Sequence, residues 1–131
     1  MGSMVRKRET ALTRAVHEAY AAHEMFCMMG YTPDDVFIGA RNVVGEGTCA
    51  VVWLRHGGLE LTLPVAPLTS VDADHFRDAM VRFQEAKPSM SRAVLDRIVR
   101  GSTVMARAGE ILSVMAEKGF DIERYKLREA N

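Results

Sequence analysis

The chain has 131 residues, carries 17 basic and 17 acidic side chains, and contains only two cysteines. A chain of this length can form one domain with a hydrophobic core that needs no disulfide or metal, so we expect no cofactor. Balanced charge argues against a dedicated nucleic-acid-binding protein, and two cysteines are too few for a disulfide framework. No apolar run approaches the ~20 residues that a membrane-spanning helix needs, so we expect a cytoplasmic protein with no membrane partner.

Composition divides the chain into three segments. Residues 1–3, Met-Gly-Ser ahead of a second methionine, are typical of an expression scar. Residues 4–122 are predicted to form a single domain. Residues 123–131 are rich in charge, and we predict that they form a frayed tail.

The first predicted element is an amphipathic helix over residues 5–29. Apolar and aromatic side chains recur there at steps of four and three. Gly30 is predicted to end the helix in the left-handed conformation, with Tyr31 folding back onto Phe26. The residues predicted to face away from the core are Arg14, His17, Glu18 and Glu24.

The most strongly determined stretch is a β-hairpin over residues 49–65, CAVVWLRHGGLELTLPV. Gly57-Gly58 can supply the positive φ angles of a two-residue turn. That turn predicts a register in which the leucine pairs share one face and Arg55/Glu60 lies on the other. The predicted cross-strand pairs are His56/Leu59, Arg55/Glu60, Leu54/Leu61, Trp53/Thr62, Val52/Leu63 and Ala50/Val65.

A further strand is predicted over residues 37–44, joined to the hairpin by a turn at residues 45–47. A three-residue loop there would place Gly39 opposite Trp53, on the face away from the leucines. The three strands are therefore predicted to form an antiparallel meander.

Two helices are predicted after the sheet. The first begins at Asp72 as its N-cap and ends at Lys87, before Pro88. The second is long, covers residues 89–118, and has one place where it could break, at Gly101-Ser102-Thr103. The predicted fold class is α+β: an N-terminal helix, a three-stranded antiparallel meander and two C-terminal helices, the last one long, in a two-layer single domain.

A zinc site is one candidate for chemistry, because His23, Cys27, Cys49 and His56 are residue types that bind zinc. His23 and Cys27 are one helical turn apart. Cys49 and His56 differ in strand parity, so their side chains are expected on opposite faces of the sheet. We therefore predict buried thiols and no metal ligand.

Acid–base catalysis is a second candidate, because Asp72, Asp74 and His75 are close in sequence. Acidic residues in the first turn of a helix are also favoured by the helix dipole, and no nucleophile or phosphate-binding loop stands near them. We predict no catalytic residue, and the sequence favours a protein that is not an enzyme.

The sheet face opposite the leucines is unusually apolar for a surface in contact with water. We predict that Phe37, Val43, Val51 and Trp53 on this face bind a partner. The leading hypothesis is a small non-enzymatic interaction module, a homodimer, that binds another protein through this face, the long helix or both. A rival role for Trp53 is to shield the backbone beside Gly39, which needs no partner.

An arginine stripe supports an alternative function. Arg92, Arg97, Arg100 and Arg107 lie within one sector of the predicted last helix, with Asp96 among them. Such a stripe could contact phosphates, as in a nucleic-acid-associated regulator. A third class is a small ligand-binding domain with its pocket between the sheet and the helices.

The order of elements resembles that of secretion chaperones of similar size. Those proteins are homodimeric partner-binding modules, which the resemblance implies for this chain. The chain departs from them in its balanced charge and in lacking their later strands, and no sequence motif accompanies the resemblance.

Overall fold

The computed structural model describes residues 10–123. The elements are helix α1 (Ala11–Met28), strands β1 (Val36–Val43), β2 (Gly47–His56) and β3 (Leu59–Pro67), and helices α2 (Ser70–Ala86), α3 (Arg92–Arg100), α4 (Thr103–Ala106) and α5 (Ala108–Glu117). The strands form one antiparallel sheet in the order β1-β2-β3, so the predicted α+β class is confirmed. The predicted segment 1–3 and most of the predicted tail lie outside the described residues. The first helix was predicted from residue 5, but Thr10 is extended and acts as the N-cap, so the predicted continuous helix through residue 10 is wrong.

The hydrophobic core lies between one face of the sheet and helices α1 and α2. Val52 and Leu54 of the central strand are completely buried there, together with Phe26 from α1 and Phe76 from α2. Helix α1 packs on β2 and β3, whereas α2 packs on β1 and β2. We call this side of the sheet the inner face and the opposite side the outer face.

Helix α1 has well-defined ends. The Thr10 hydroxyl accepts the amide hydrogen of Thr13 at 3.0 Å, which caps the first turn. At the other end Gly30 has φ +106°, and the Tyr31 amide donates to the Phe26 carbonyl at 3.1 Å. The predicted glycine ending is confirmed.

The hairpin register agrees with the prediction from His56/Leu59 to Val52/Leu63. The predicted pair of Ala50 with Val65 is wrong, because a β-bulge places Ala50 opposite Ala66 and leaves Val65 without a cross-strand partner. The bulge follows Pro64, which has no amide hydrogen to continue the ladder. Both Val65 and Ala66 are buried, so the bulge adds one more side chain to the core.

The loop between β1 and β2 has three residues, 44–46, one position earlier than predicted. Val43 therefore pairs with Gly47, Phe37 with Trp53, and Gly39 with Val51. The predicted pairing of Gly39 with Trp53 is wrong by two residues. A shift of two preserves the face on which each side chain lies.

Helix α2 begins three residues before the predicted start. Its N-cap is Thr69, whose hydroxyl accepts the amide hydrogen of Asp72 at 3.0 Å. Asp72 is therefore a first-turn residue and not the N-cap. The carboxylate is still favoured there because it lies at the positive end of the helix dipole.

The predicted long last helix is wrong, since helices α3, α4 and α5 replace it. The first break falls at Gly101-Ser102, where the sequence allowed one. Ser102 is buried and caps α4 by accepting the amide hydrogen of Met105 at 3.1 Å. The chain can turn here because the first amides of α4 find acceptors outside the helix.

Glu18 supplies the other acceptors. Its carboxylate accepts the amide hydrogens of Thr103 at 2.8 Å and Val104 at 3.0 Å. Glu18 was predicted to face solvent, but it is only 3% exposed, because α3 and α4 pack against α1 on that side. Helix α1 is thus covered by the sheet on one side and by the C-terminal helices on another.

Candidate protein-interaction surfaces

Two aromatic rings of the outer face each contact an arginine side chain. The guanidinium carbon of Arg41 lies 5.0 Å from the ring centroid of Trp53, and that of Arg55 lies 5.0 Å from the ring of Phe37. Phe37 and Trp53 are themselves cross-strand partners. Each such contact contributes about 0.5–1 kcal/mol at an exposed site, so the four side chains hold one another in place. The rings are not enclosed, since Phe37 is 44% exposed.

The four predicted partner-binding residues lie at different depths. Phe37 is exposed, Trp53 and Val43 are half-buried, and Val51 is completely buried. Val51 therefore offers no surface to a partner. The accessible apolar part of this face consists of Phe37, Val43 and Trp53.

Trp53 also makes a close contact within the chain. A Cβ atom added to Gly39 would lie 3.2 Å from Cζ3 of Trp53, so the indole ring lies directly against this glycine. This is the shielding contact expected from the rival role of Trp53. The same ring can contact Gly39 through its Cζ3–Cη2 edge and present its other atoms to a partner.

A groove runs between β1 and α2, and we call it the β1–α2 groove. Its volume is about 780 Å³. The lining residues are the mainly apolar Ile38, Gly39, Ala40, Ala73, Phe76, Met80 and Val81, together with the polar Arg77, Gln84 and Glu85. The sequence suggested a ligand pocket between the sheet and the helices but not which residues line it. The lining depends on the position of α2 over β1, which is set by tertiary packing.

The two edges of the sheet differ in how they oppose pairing with another strand. Strand β3 carries Pro64 and Pro67 and contains the bulge at Val65, all of which discourage pairing. Strand β1 has eight residues with neither a proline nor a bulge. The edge next to the β1–α2 groove is therefore the one suited to accept another strand.

The predicted arginine stripe is divided by the broken helix. Arg92, Arg97 and Arg100 lie on α3, whereas Arg107 lies between α4 and α5. Arg107 donates to the Glu110 carboxylate at 3.1 Å, so its charge is already paired. All four arginines are exposed, but they do not follow one helix face.

The two cysteines are free and lie on different elements. The Cys27 sulfur lies 3.7 Å from Nδ1 of His23 on α1, and the Cys49 thiol donates to the Gly47 carbonyl at 3.5 Å. Burial raises the pKa of both thiols, which disfavours the thiolate needed for nucleophilic attack or metal binding. His56 lies instead beside Asp35, 3.4 Å from its carboxylate. Between residues 10 and 123 no group of three or more His, Cys, Asp or Glu side chains could hold a metal ion.

Asp72, Asp74 and His75 lie near the start of α2. Asp72 is half-buried beside the cap, and Asp74 and His75 are exposed. None of the three lines the β1–α2 groove. Their positions fit the helix-dipole explanation of these acidic residues.

No helix in the described part of the chain combines the length and the apolar character needed to cross a bilayer. No protein-family model, curated protein or solved structure matches this sequence. What indicates a function is the pair of surfaces on the sheet, the outer face and the β1–α2 groove.

Proposed function

We propose that this chain is a small non-enzymatic interaction module that forms a homodimer and binds another protein through the outer face of its sheet. The observation that carries the proposal is the Phe37–Trp53 pair on the outer face. The inner face already has its core, so these rings are not needed to bury the leucines.

The outer face has the chemistry of an interface centre. Tryptophan, phenylalanine and arginine are enriched at interfaces, and truncation of a central aromatic side chain often weakens binding strongly. Here the rings stand on adjacent strands and each contacts an arginine, which favours one orientation of the ring. A partner that packs apolar side chains on the rings loses little side-chain entropy, because the rings are ordered beforehand.

The chemistry of the partner follows from the arginines. Arg55 lies 3.5 Å from Glu60, so its charge is partly balanced within the sheet. Arg41 has no such carboxylate among the described residues. We expect a partner segment with apolar side chains and a carboxylate placed near Arg41.

Trp53→Ala tests the proposal. We expect circular dichroism to show a folded protein. Its affinity for the partner should fall about thirtyfold, the equivalent of about 2 kcal/mol. Val44→Ala is the matched control, because Val44 is a fully exposed apolar residue in the adjacent loop. The measurement is a pull-down with the parent, V44A and W53A as baits, in which the recovered protein is identified. We expect the parent and V44A to recover the same protein and W53A not to recover it. An unfolded W53A, or one that retains the partner, would contradict the proposal.

Small-ligand binding is the second candidate, and the size of the β1–α2 groove favours it. Ligand pockets commonly span about 300–1,000 Å³, and the groove holds about 780 Å³. Native mass spectrometry of the purified protein separates the two candidates, because one spectrum reports subunit number and any retained small molecule. A stoichiometric small molecule would favour the second candidate.

A further inference from the structure

We infer that the β1–α2 groove receives the same groove of a second copy, with β1 against β1 and α2 against α2 across a two-fold axis. The inference rests on the proposed homodimer and names its interface. Each copy would place its own edge strand and helix on the open side of the other.

The strand part of the interface follows from the difference between the sheet edges. Strand β1 is an edge strand without proline or bulge, and Gly39 at its middle lines the groove. Two β1 strands related by a two-fold axis perpendicular to them run antiparallel, so they can pair by main-chain hydrogen bonds and join two three-stranded sheets into one. The same surface then serves both copies.

The helix part follows from the charge pattern of α2. Arg77, Val81 and Glu85 stand at steps of four along one ridge of the helix, and all three line the groove. The two charged residues are eight positions apart, about 12 Å along the helix. The ridge therefore has an arginine at one end, a valine at its centre and a glutamate at the other.

A two-fold axis beside Val81 gives this pattern a self-complementary partner. It places Arg77 of one copy against Glu85 of the other, twice in the dimer, and brings the two Val81 side chains together. In the described part of the chain neither Arg77 nor Glu85 makes an ion pair, and Val81 is 50% exposed. A second copy supplies an oppositely charged partner for both Arg77 and Glu85. An extended peptide that pairs with the β1 edge does not by itself supply these two partners.

Charge reversal tests the interface. We expect the parent to be a dimer by sedimentation equilibrium. Arg77→Glu and Glu85→Arg should each raise the dissociation constant about tenfold or more, because an attraction becomes a repulsion at two symmetric places. The double variant R77E/E85R restores opposite charges and should return the dissociation constant to within about threefold of the parent. Both positions are exposed, so the variants are expected to fold.

A second pair of variants tests the centre of the ridge. Val81→Lys places two ammonium groups together at the axis, and we expect a folded monomer. Val114→Lys is the matched control, because Val114 is an exposed valine of similar accessibility on α5. We expect V114K to remain a dimer.

The outcomes separate this inference from the proposed function. A parent dimer unaffected by R77E, E85R and V81K overturns the groove interface and leaves the homodimer standing. A dimer lost in V114K but not in V81K moves the interface to the C-terminal helices and also overturns the inference. A parent that is monomeric at all concentrations overturns both the inference and the homodimer, while partner binding is still decided by W53A.

Discussion

The carboxylate of Glu18 joins two parts of the molecule that are far apart in sequence. It accepts amide hydrogens from Thr103 and Val104, the former 85 residues away. Arg14 donates to the Thr103 hydroxyl at 2.8 Å and lies 3.6 Å from the same carboxylate. A buried charge is tolerated when it is paired and hydrogen-bonded, and Glu18 meets both conditions. This side chain therefore fixes where α4 begins.

Glu18→Ala should lower the free energy of unfolding by about 2 kcal/mol or more, because it leaves two amide hydrogens without an acceptor. Glu18→Gln keeps one acceptor oxygen, so its effect should be smaller. Urea denaturation followed by circular dichroism measures both. Glu24→Ala, a half-buried glutamate on the same helix, is the control and should change stability little. If E18A and E24A unfold at the same urea concentration, Glu18 does not tie α1 to α4.

The role of Glu18 could not be predicted from its charge. A periodicity argument assigns charged residues to the solvent side of a helix, and it gives no sign of what packs there later. A weaker signal was present in the alanines of α1. Ala15, Ala19, Ala21 and Ala22 are all completely buried and spread around more than one face. Small apolar residues around a helix are typical of one that is covered on several sides.

At the scale of elements, the hairpin turn decides the register of the sheet. Gly57 and Gly58 have φ angles of +60° and +82°, so both occupy a region that favours glycine. The register depends on both residues keeping this geometry.

Gly58→Val should destabilise the protein by on the order of 1–2 kcal/mol, since a β-branched residue is strained at positive φ. Thermal melting measures the effect. Gly109→Val is the control, because Gly109 has no positive φ and a Cβ there meets open space. We expect G109V to melt near the parent. A G58V variant as stable as the parent would show that the turn does not need its glycines.

Elements were predictable where a local signal was unique. The two-glycine turn allowed only one pairing, so five hairpin pairs were predicted correctly, up to Val52/Leu63. Beyond that point the bulge at Val65 changed the pairing. The start of α2 was ambiguous, because Thr69 and Asp72 are both good caps and only one was used. The order of elements was predicted, and the break after α3 falls where the sequence allowed one, whereas the break after α4 was not predicted.

At the scale of the whole molecule, charge balance argues against a nucleic-acid partner. Basic and acidic residues number 17 each, and Arg107 is already paired with Glu110. Only Arg92, Arg97 and Arg100 remain together, on α3. Affinity for duplex DNA rises with the number of phosphates contacted, so three side chains supply little.

We expect no complex with generic duplex DNA in a mobility-shift assay at about 0.15 M salt. The alternative function predicts a complex that weakens steeply as salt rises and disappears in R97E/R100E. Arg82→Glu, on the exposed surface of α2, is the control for a charge reversal elsewhere on the molecule and is compared with the single variant R97E, which changes the net charge equally. A salt-sensitive complex that survives R82E but not R97E/R100E would favour the nucleic-acid-associated regulator.

The candidate surfaces were predictable to different degrees. Strand parity correctly placed Phe37 and Trp53 together on the outer face, because parity needs only the register. Parity gives no information on depth, and Val51 proved to be buried. The sequence suggested a pocket between the sheet and the helices, but not its position, since the two sides of the β1–α2 groove lie in different elements whose distance is set by packing.

The prolines of β3 acquire a further meaning if β1 is the strand that joins two copies. A sheet that grows by adding strands at its edges can keep growing unless its outermost strands cannot pair with a further strand. In a pair joined through β1, both outermost strands are β3, and each carries Pro64, Pro67 and the bulge. Assembly would then stop at two subunits. The chain would have one edge that pairs with another copy, the β1 edge, and would not form fibrils at high concentration.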